Sequence, residues 1–136
     1  MKPVKWGIIS TANIGMEKVT PGMLKSRDIE IVAISSRKLK SAQAAAAKLG
    51  IPKSYGSYEA MLEDPEIEAV YNPLPNHLHV PLTLAAAKAG KHVLCEKPIA
   101  ITAKEAAKLP RFPRASMWRK PSWCATACNG SPPGRK

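Results

Sequence analysis

The chain has 136 residues, 45% of them hydrophobic, and a formal net charge of +11. That length holds about one domain with a real core but no second full domain, and no stretch approaches the ~18 apolar residues of a membrane span. Residues 110–136 carry six basic side chains and no carboxylate, so over half of the excess charge lies in a fifth of the chain, which points away from the nucleic-acid partner that a uniformly basic domain would suggest.

In chain order, Met1-Lys2-Pro3-Val4-Lys5-Trp6 leads straight into a strand without a signal-peptide core, which predicts a cytoplasmic location. Val4–Ser10 reads as a buried parallel strand, short and β-branched. Asn13–Lys25 follows with helical spacing at Ile14, Val19, Met23 and Leu24, and Pro21 bends or shortens that helix. Ile29–Ser35 is the second strand. Leu39–Leu49 is an Ala-rich helix stopped by Gly50. Tyr58–Glu63 is a short helix ended by Asp64-Pro65, and Glu68–Tyr71 is a third strand. His77–Ala89 is a helix stopped by Gly90, with Asn76 as its N-cap, and His92–Cys95 is the next strand. Thr102–Leu109 opens another helix with a capping box of Thr102 and Glu105. Strands alternating with helices predict an α/β fold, a doubly wound parallel sheet with right-handed connections, over residues 1–109.

Beyond Leu109 the pattern stops. Residues 110–136 hold five prolines and no Ile, Leu or Val, which predicts an irregular, basic, disordered tail. Trp118 and Trp123 among basic residues also fit nucleic-acid stacking, a rival reading tested by salt-dependent binding. The cysteines are Cys95, Cys124 and Cys128. An odd number argues against a disulfide framework, and Cys124-Ala-Thr-Ala-Cys128 lacks the further ligands of a zinc site, so no metal is expected.

A phosphate-binding turn of the form G-x-G-x-x-G belongs between the first strand and its helix. Here that place holds Ser10-Thr11-Ala12-Asn13-Ile14-Gly15. Only the third glycine stands, but Ser10 and Ala12 are small enough for the backbone to approach a pyrophosphate, and the helix N-terminus offers N–H groups to it. Small residues also join strands to helices without binding anything. After the second strand an NAD site carries Asp or Glu for the ribose 2′-hydroxyl. This chain has Ser36 and Arg37 instead, and hydroxyl and guanidinium groups suit a 2′-phosphate. NADP is therefore predicted over NAD, with Arg37 as a solvated helix-start residue the alternative.

Two loops leave the carboxyl ends of later strands, where ligands of open α/β sheets bind. One is Asn72-Pro73-Leu74-Pro75-Asn76-His77-Leu78-His79, the other Glu96-Lys97-Pro98. Together with residues 6–15, 35–37 and 71–100, they give the chain a resemblance to the glucose-fructose oxidoreductase / inositol dehydrogenase (Gfo/Idh/MocA) family. It is most similar to NADP-dependent sugar and dihydrodiol dehydrogenases.

The resemblance implies a Rossmann-type cofactor domain and hydride transfer between a sugar or polyol hydroxyl and the nicotinamide. It implies that Lys97 is catalytic, holding the reacting hydroxyl and assisting its proton transfer; burial or a nearby positive charge would lower its pKa for that task. Glu96 would orient Lys97 or the cofactor beside Pro98, and Leu74, Pro75, Asn76 and His79 would line the cofactor cleft. His77 and His92 are expected at the surface, and Cys95 as a small buried hydrophobe. The family's second domain, with its substrate pocket, catalytic His and dimer contacts, has no counterpart here. The tail suggests a shifted reading frame: two bases on, the codons for Met117–Trp123 and beyond permit VAEAFMVRY, similar to the strand entering that second domain. A non-catalytic dinucleotide-binding module is the alternative function, separated by whether a sugar changes NADPH absorbance.

Overall fold

The structure, a computed structural model, describes residues 2–109. The expectations for residues 110–136, including the shifted frame, Cys124 and Cys128, lie outside the described residues. Five strands form one parallel sheet: β1 (Val4–Ile9), β2 (Ile29–Ser35), β3 (Lys53–Tyr55), β4 (Ala69–Asn72) and β5 (His92–Cys95), in the order β3-β2-β1-β4-β5. The connecting helices are α1 (Thr20–Met23), α2 (Leu39–Leu49), α3 (Tyr58–Leu62) and α4 (His79–Lys88), and α5 (Ala103–Ala106) follows β5. This is the Rossmann-type α/β architecture expected from the sequence.

Strand side chains alternate between faces, and the core divides accordingly. Ile9, Val32, Met61, Val70 and Ala86 form a cluster on one face. Ile8, Ile31, Ile34, Ala45, Ala46 and Tyr71 form one on the other. The alternation slips once. Trp6 pairs with Ile31 but Gly7 with Ala33, so Val32 is an extra residue in β2, a bulge that puts Val32 and Ala33 in the same cluster. Gly7 is set by close approach: a Cβ there would lie 3.1 Å from Met61 Sδ and 3.2 Å from Ile67 Cδ1, and those two side chains would have to give by a few tenths of an ångström.

Several expected elements end elsewhere than the sequence suggests, each for a local reason. The first helix contains a wide π-turn over Gly15–Val19, in which the Thr20 N–H donates to Gly15 O, five residues back. Pro21 follows at once; it has no N–H to give Glu17, and its ring needs the extra width. The expected helix over His77–Ala89 begins as a 3-10 turn, Asn76–Leu78, where Leu78 N–H donates to Pro75 O at 2.9 Å. Asn76 therefore sits inside the turn, and its side chain makes no capping bond. Thr102 does cap, accepting from Glu105 N–H at 3.1 Å, while Glu105 Oε2 accepts from Ile101 N–H rather than from Thr102. The third expected strand shifts by one residue, to Ala69–Asn72. The short edge strand β3 was not foreseen.

The turn into β4 is tied to three other elements by charge. Asp64 Oδ2 accepts from Lys53 Nζ at 2.8 Å and Tyr55 Oη at 2.7 Å, and its Oδ1 accepts from Glu66 N–H at 2.9 Å. Glu66 pairs with Lys5 and with Lys53. Lys91 is buried and donates to the carbonyls of Asp64 at 2.6 Å and Ile67 at 2.7 Å. Burial pushes the Asp64 carboxyl up, but the hydrogen bonds from Lys53, Tyr55 and the Glu66 amide outweigh it, and it falls to about 2.

Candidate functional site

Strand β1 lies between β2 and β4, so the chain leaves the carboxyl end of β1 toward one face and returns through β4 by way of the other. Crevices in open α/β sheets form at such a reversal. A cavity of about 360 Å³ opens there, within the range of small-molecule sites. Ser10, Thr11 and Ala12 after β1 form its floor. Ser36 and Arg37 after β2, Tyr58 at the start of α3, and Leu74, Pro75, His77 and Leu78 after β4 complete the lining. None of these lining residues is a carboxylate.

The floor is shaped by one residue in an unusual conformation. Ser10 has φ 80°, the left-handed region that the first glycine of the motif would occupy without cost. Its hydroxyl offsets part of the strain by accepting from Ala12 N–H at 3.2 Å, and its own N–H donates to Ser35 O at 2.9 Å. The first helical bond runs from Met16 N–H to Ala12 O at 3.0 Å. The N–H groups of Asn13, Ile14 and Gly15 precede it, as donors at the start of a helix do. Gly15 is buried, and a Cβ on it would lie 3.2 Å from Pro73 Cγ. The third glycine thus lets the helix approach the loop after β4, which is its role in the motif. These features fit a dinucleotide's pyrophosphate on the turn.

The second half of the site is braced from beneath. Asn72, fully buried, donates from Nδ2 to His79 O at 3.3 Å and accepts from Leu74 N–H at 3.2 Å. Tyr71 Oη donates to Glu96 Oε1 at 2.6 Å, and Glu96 N–H donates to Asn72 O at 3.1 Å. Burial, reinforced by the Glu96 carboxylate, pushes the Tyr71 phenol above its ordinary value, so it stays a donor. Burial likewise pushes the half-buried Cys95 thiol up to about 11, which leaves it protonated and unreactive near neutrality. Lys97 and Pro98 are exposed and joined by a cis peptide.

Of the residues singled out in the sequence, Ser10, Thr11, Ala12, Ser36, Arg37, Leu74 and Pro75 meet around one cavity. Asn13, Ile14 and Gly15 follow on the adjoining helix, and Asn76, Glu96, Lys97 and Pro98 lie outside the lining. His79 does not line the cleft. It is 1% exposed, with Nδ1 2.7 Å from Pro98 O and Nε2 2.5 Å from Leu74 O. Each ring nitrogen thus faces a loop carbonyl oxygen; a neutral imidazole carries one N–H and donates to one of the two, and only a ring with an N–H on each nitrogen donates to both. The exposed His77, expected only at the surface, lines the cavity instead, with Tyr58 and Leu78. The two-residue spacing of His77 and His79 across the start of α4 was the available signal, because residues two apart do not share a helix face. Among the described residues no group of His, Cys, Asp and Glu is arranged to hold a metal, and no helix is long and apolar enough to cross a membrane.

Comparison with known proteins agrees with this geometry. An uncharacterised oxidoreductase of Rhizobium meliloti is 59% identical over 109 residues, covering 80% of this chain and 33% of that protein. A D-xylose 1-dehydrogenase (NADP(+)) of Haloferax volcanii is 51% identical over 102 residues, 75% of this chain and 31% of the relative. Among solved structures, the 3-ketoreductase KijD10 of Actinomadura kijaniata, in complex with TDP-benzene and NADP, superposes with a TM-score of 0.79 at 34% identity. That match covers 83% of this chain and 35% of the other. The chain spans about a third of the length of these relatives. The profile of the Gfo/Idh/MocA oxidoreductases, described as an oxidoreductase family with an NAD-binding Rossmann fold, matches residues 4–114, and the chain belongs to that family.

Proposed function

We propose that residues 1–109 bind NADP as the cofactor domain of an oxidoreductase acting on a sugar or polyol hydroxyl. The observation that carries this reading is the cavity at the β1/β4 reversal, with Ser36 and Arg37 on its lining and no carboxylate there. Guanidinium and hydroxyl groups bind a ribose 2′-phosphate, which a carboxylate would repel. The NADP(+) in the name of the Haloferax volcanii relative and the NADP in the KijD10 complex support the same choice.

The Ser10–Ala12 turn and the N–H groups of Asn13, Ile14 and Gly15 hold the pyrophosphate. Arg37 and Ser36 hold the 2′-phosphate, and Leu74, Pro75, His77 and Leu78 form the opposing wall. When bound, the nicotinamide supplies the hydride acceptor. The Lys97 amine, after β5, positions the substrate hydroxyl and takes part in moving its proton. Glu96, held by Tyr71, fixes the start of that loop. The substrate pocket and the oligomer contacts come from a further domain.

Fluorescence titration with NADPH and with NADH tests the cofactor. NADPH binding at least tenfold tighter is expected, and equal or tighter NADH binding refutes the assignment. The exposure of Lys97 favours a second reading, in which the chain holds the cofactor without turnover. Oxidation of sugars or polyols, followed as NADPH absorbance, separates the two. Binding without turnover selects the second.

A further inference from the structure

We propose that His79 is a positioning residue: its buried ring clamps the Lys97 loop to the wall of the cofactor cavity. The ring is 1% exposed and bridges the loops that leave the neighbouring strands β4 and β5, beyond the last bond between those strands. Nε2 meets Leu74 O at 2.5 Å, in the loop after β4 that lines the cavity. Nδ1 meets Pro98 O at 2.7 Å, one residue past Lys97 in the loop after β5.

The ring is itself held in place. It stands on the first residue of α4, and its own carbonyl accepts from Asn72 Nδ2 at 3.3 Å. Asn72 Oδ1 in turn accepts from Leu74 N–H at 3.2 Å. Leu74 is therefore held at its N–H by Asn72, and its C=O and that of Pro98 lie against the two ring nitrogens of His79: a neutral ring donates to one carbonyl and packs against the other, and a ring with an N–H on each nitrogen donates to both. The Lys97 loop is gripped on one side of the lysine by the Tyr71–Glu96 bond at 2.6 Å and on the other by His79. Lys97 is exposed, and the bonds on either side of it fix the backbone from which its long side chain reaches. A shift of the cavity wall passes through the His79 ring to that backbone. Positioning of this kind governs rate and affinity at atoms the residue never touches.

The clamp rests on the proposed placement of Lys97 at the substrate hydroxyl beside the bound cofactor, and the test keeps the two apart. The full chain is prepared as the unsubstituted protein, His79→Phe, His79→Gln, Lys97→Ala and the double variant His79→Phe/Lys97→Ala. Phe keeps a planar ring without donors; Gln restores a two-hydrogen amide donor. Hydrogen exchange without cofactor reads the clamp directly. In His79→Phe the amides of residues 96–101 exchange at least tenfold faster, β2 amides stay protected, and His79→Gln recovers part of the difference. Unchanged exchange in 96–101, or equal acceleration in β2, overturns the clamp. Should His79→Phe fail to fold, His79→Gln alone decides, with about threefold acceleration confined to 96–101 expected and none refuting.

NADPH titration then reads coupling. Lys97→Ala and His79→Phe each weaken binding about tenfold, and the double variant is no weaker than the weaker single variant. Multiplicative losses refute action through Lys97. If Lys97→Ala binds normally, coupling to the cofactor through Lys97 falls while its proposed role at the substrate hydroxyl stands, whereas normal binding by His79→Phe alone overturns only the clamp.

Discussion

Replacing Asp64 with Asn isolates the charge at the centre of the turn into β4. Asn keeps an acceptor for the Glu66 amide but presents no carboxylate to Lys53 and Tyr55, which donate at 2.8 and 2.7 Å. The Asp64 carboxyl lies at about 2 against an ordinary 3.8. Each pKa unit is about 1.4 kcal/mol, so the full linkage is roughly 2.4 kcal/mol. Lys53 and Glu66 are each 37% exposed, and water screens part of that attraction, which leaves about 1.5 kcal/mol. Because the folded value is depressed, this stability is present above about pH 5 and is lost as pH falls through about 2, with roughly half gone near pH 3. The assay is thermal unfolding of both proteins from pH 7 to pH 2.5. At pH 7 Asp64→Asn melts roughly 6–12 °C lower, as about 1.5 kcal/mol implies for a domain this size. The gap narrows at low pH. A gap that is as large at pH 3 as at pH 7 refutes the electrostatic account.

Arg37→Ala weakens NADPH binding by about 1.5–3 kcal/mol, the worth of a charge-assisted hydrogen bond, and leaves NADH binding unchanged; parallel titrations check the difference. Ser36→Asp shifts the preference toward NADH, because a carboxylate repels the 2′-phosphate and accepts from a 2′-hydroxyl. Ser10→Val lowers stability by about 1–2 kcal/mol in thermal melts, since φ 80° is unfavourable for a β-branched side chain, whereas Ser10→Gly is neutral to within about 0.5 kcal/mol. Gly15→Ala presses on Pro73 and parts the phosphate turn from the loop after β4, costing about 1–2 kcal/mol of stability in the same melts.

Elements with a strong local code were legible in the sequence. The β-branched run Ile29–Ser35 and the strand His92–Cys95 have the expected bounds. The helix Leu39–Leu49 ends where Gly50 adopts φ 69°, a conformation that glycine takes freely. β3 was not legible, because its three half-buried residues carry no apolar period and it pairs only along β2. Its position is set by β2 and by the Lys53 and Tyr55 bonds to Asp64, none of them local in sequence. In the site, the Ser10–Gly15 turn was readable because its spacing is its mechanism. The exchange of roles between His77 and His79 was not. It depends on the 3-10 turn at Asn76–Leu78 and on where two distant carbonyls fall.

The strand order also sets a timetable for folding. β1 is made before the other four described strands, yet it ends between β2 and β4. At ribosomal rates of about 5–20 residues per second, Asn72 follows Ile9 by roughly 3–13 s. Through that interval Gly7, Ile8 and Ile9 can pair along β2 only, and the edge that β4 will fill stays open. Pairings so distant in sequence fold slowly and leave unpaired strand available to other chains. The nascent chain is therefore most exposed to aggregation before residue 72 emerges, and that early window is where a chaperone binding apolar strands would act on it.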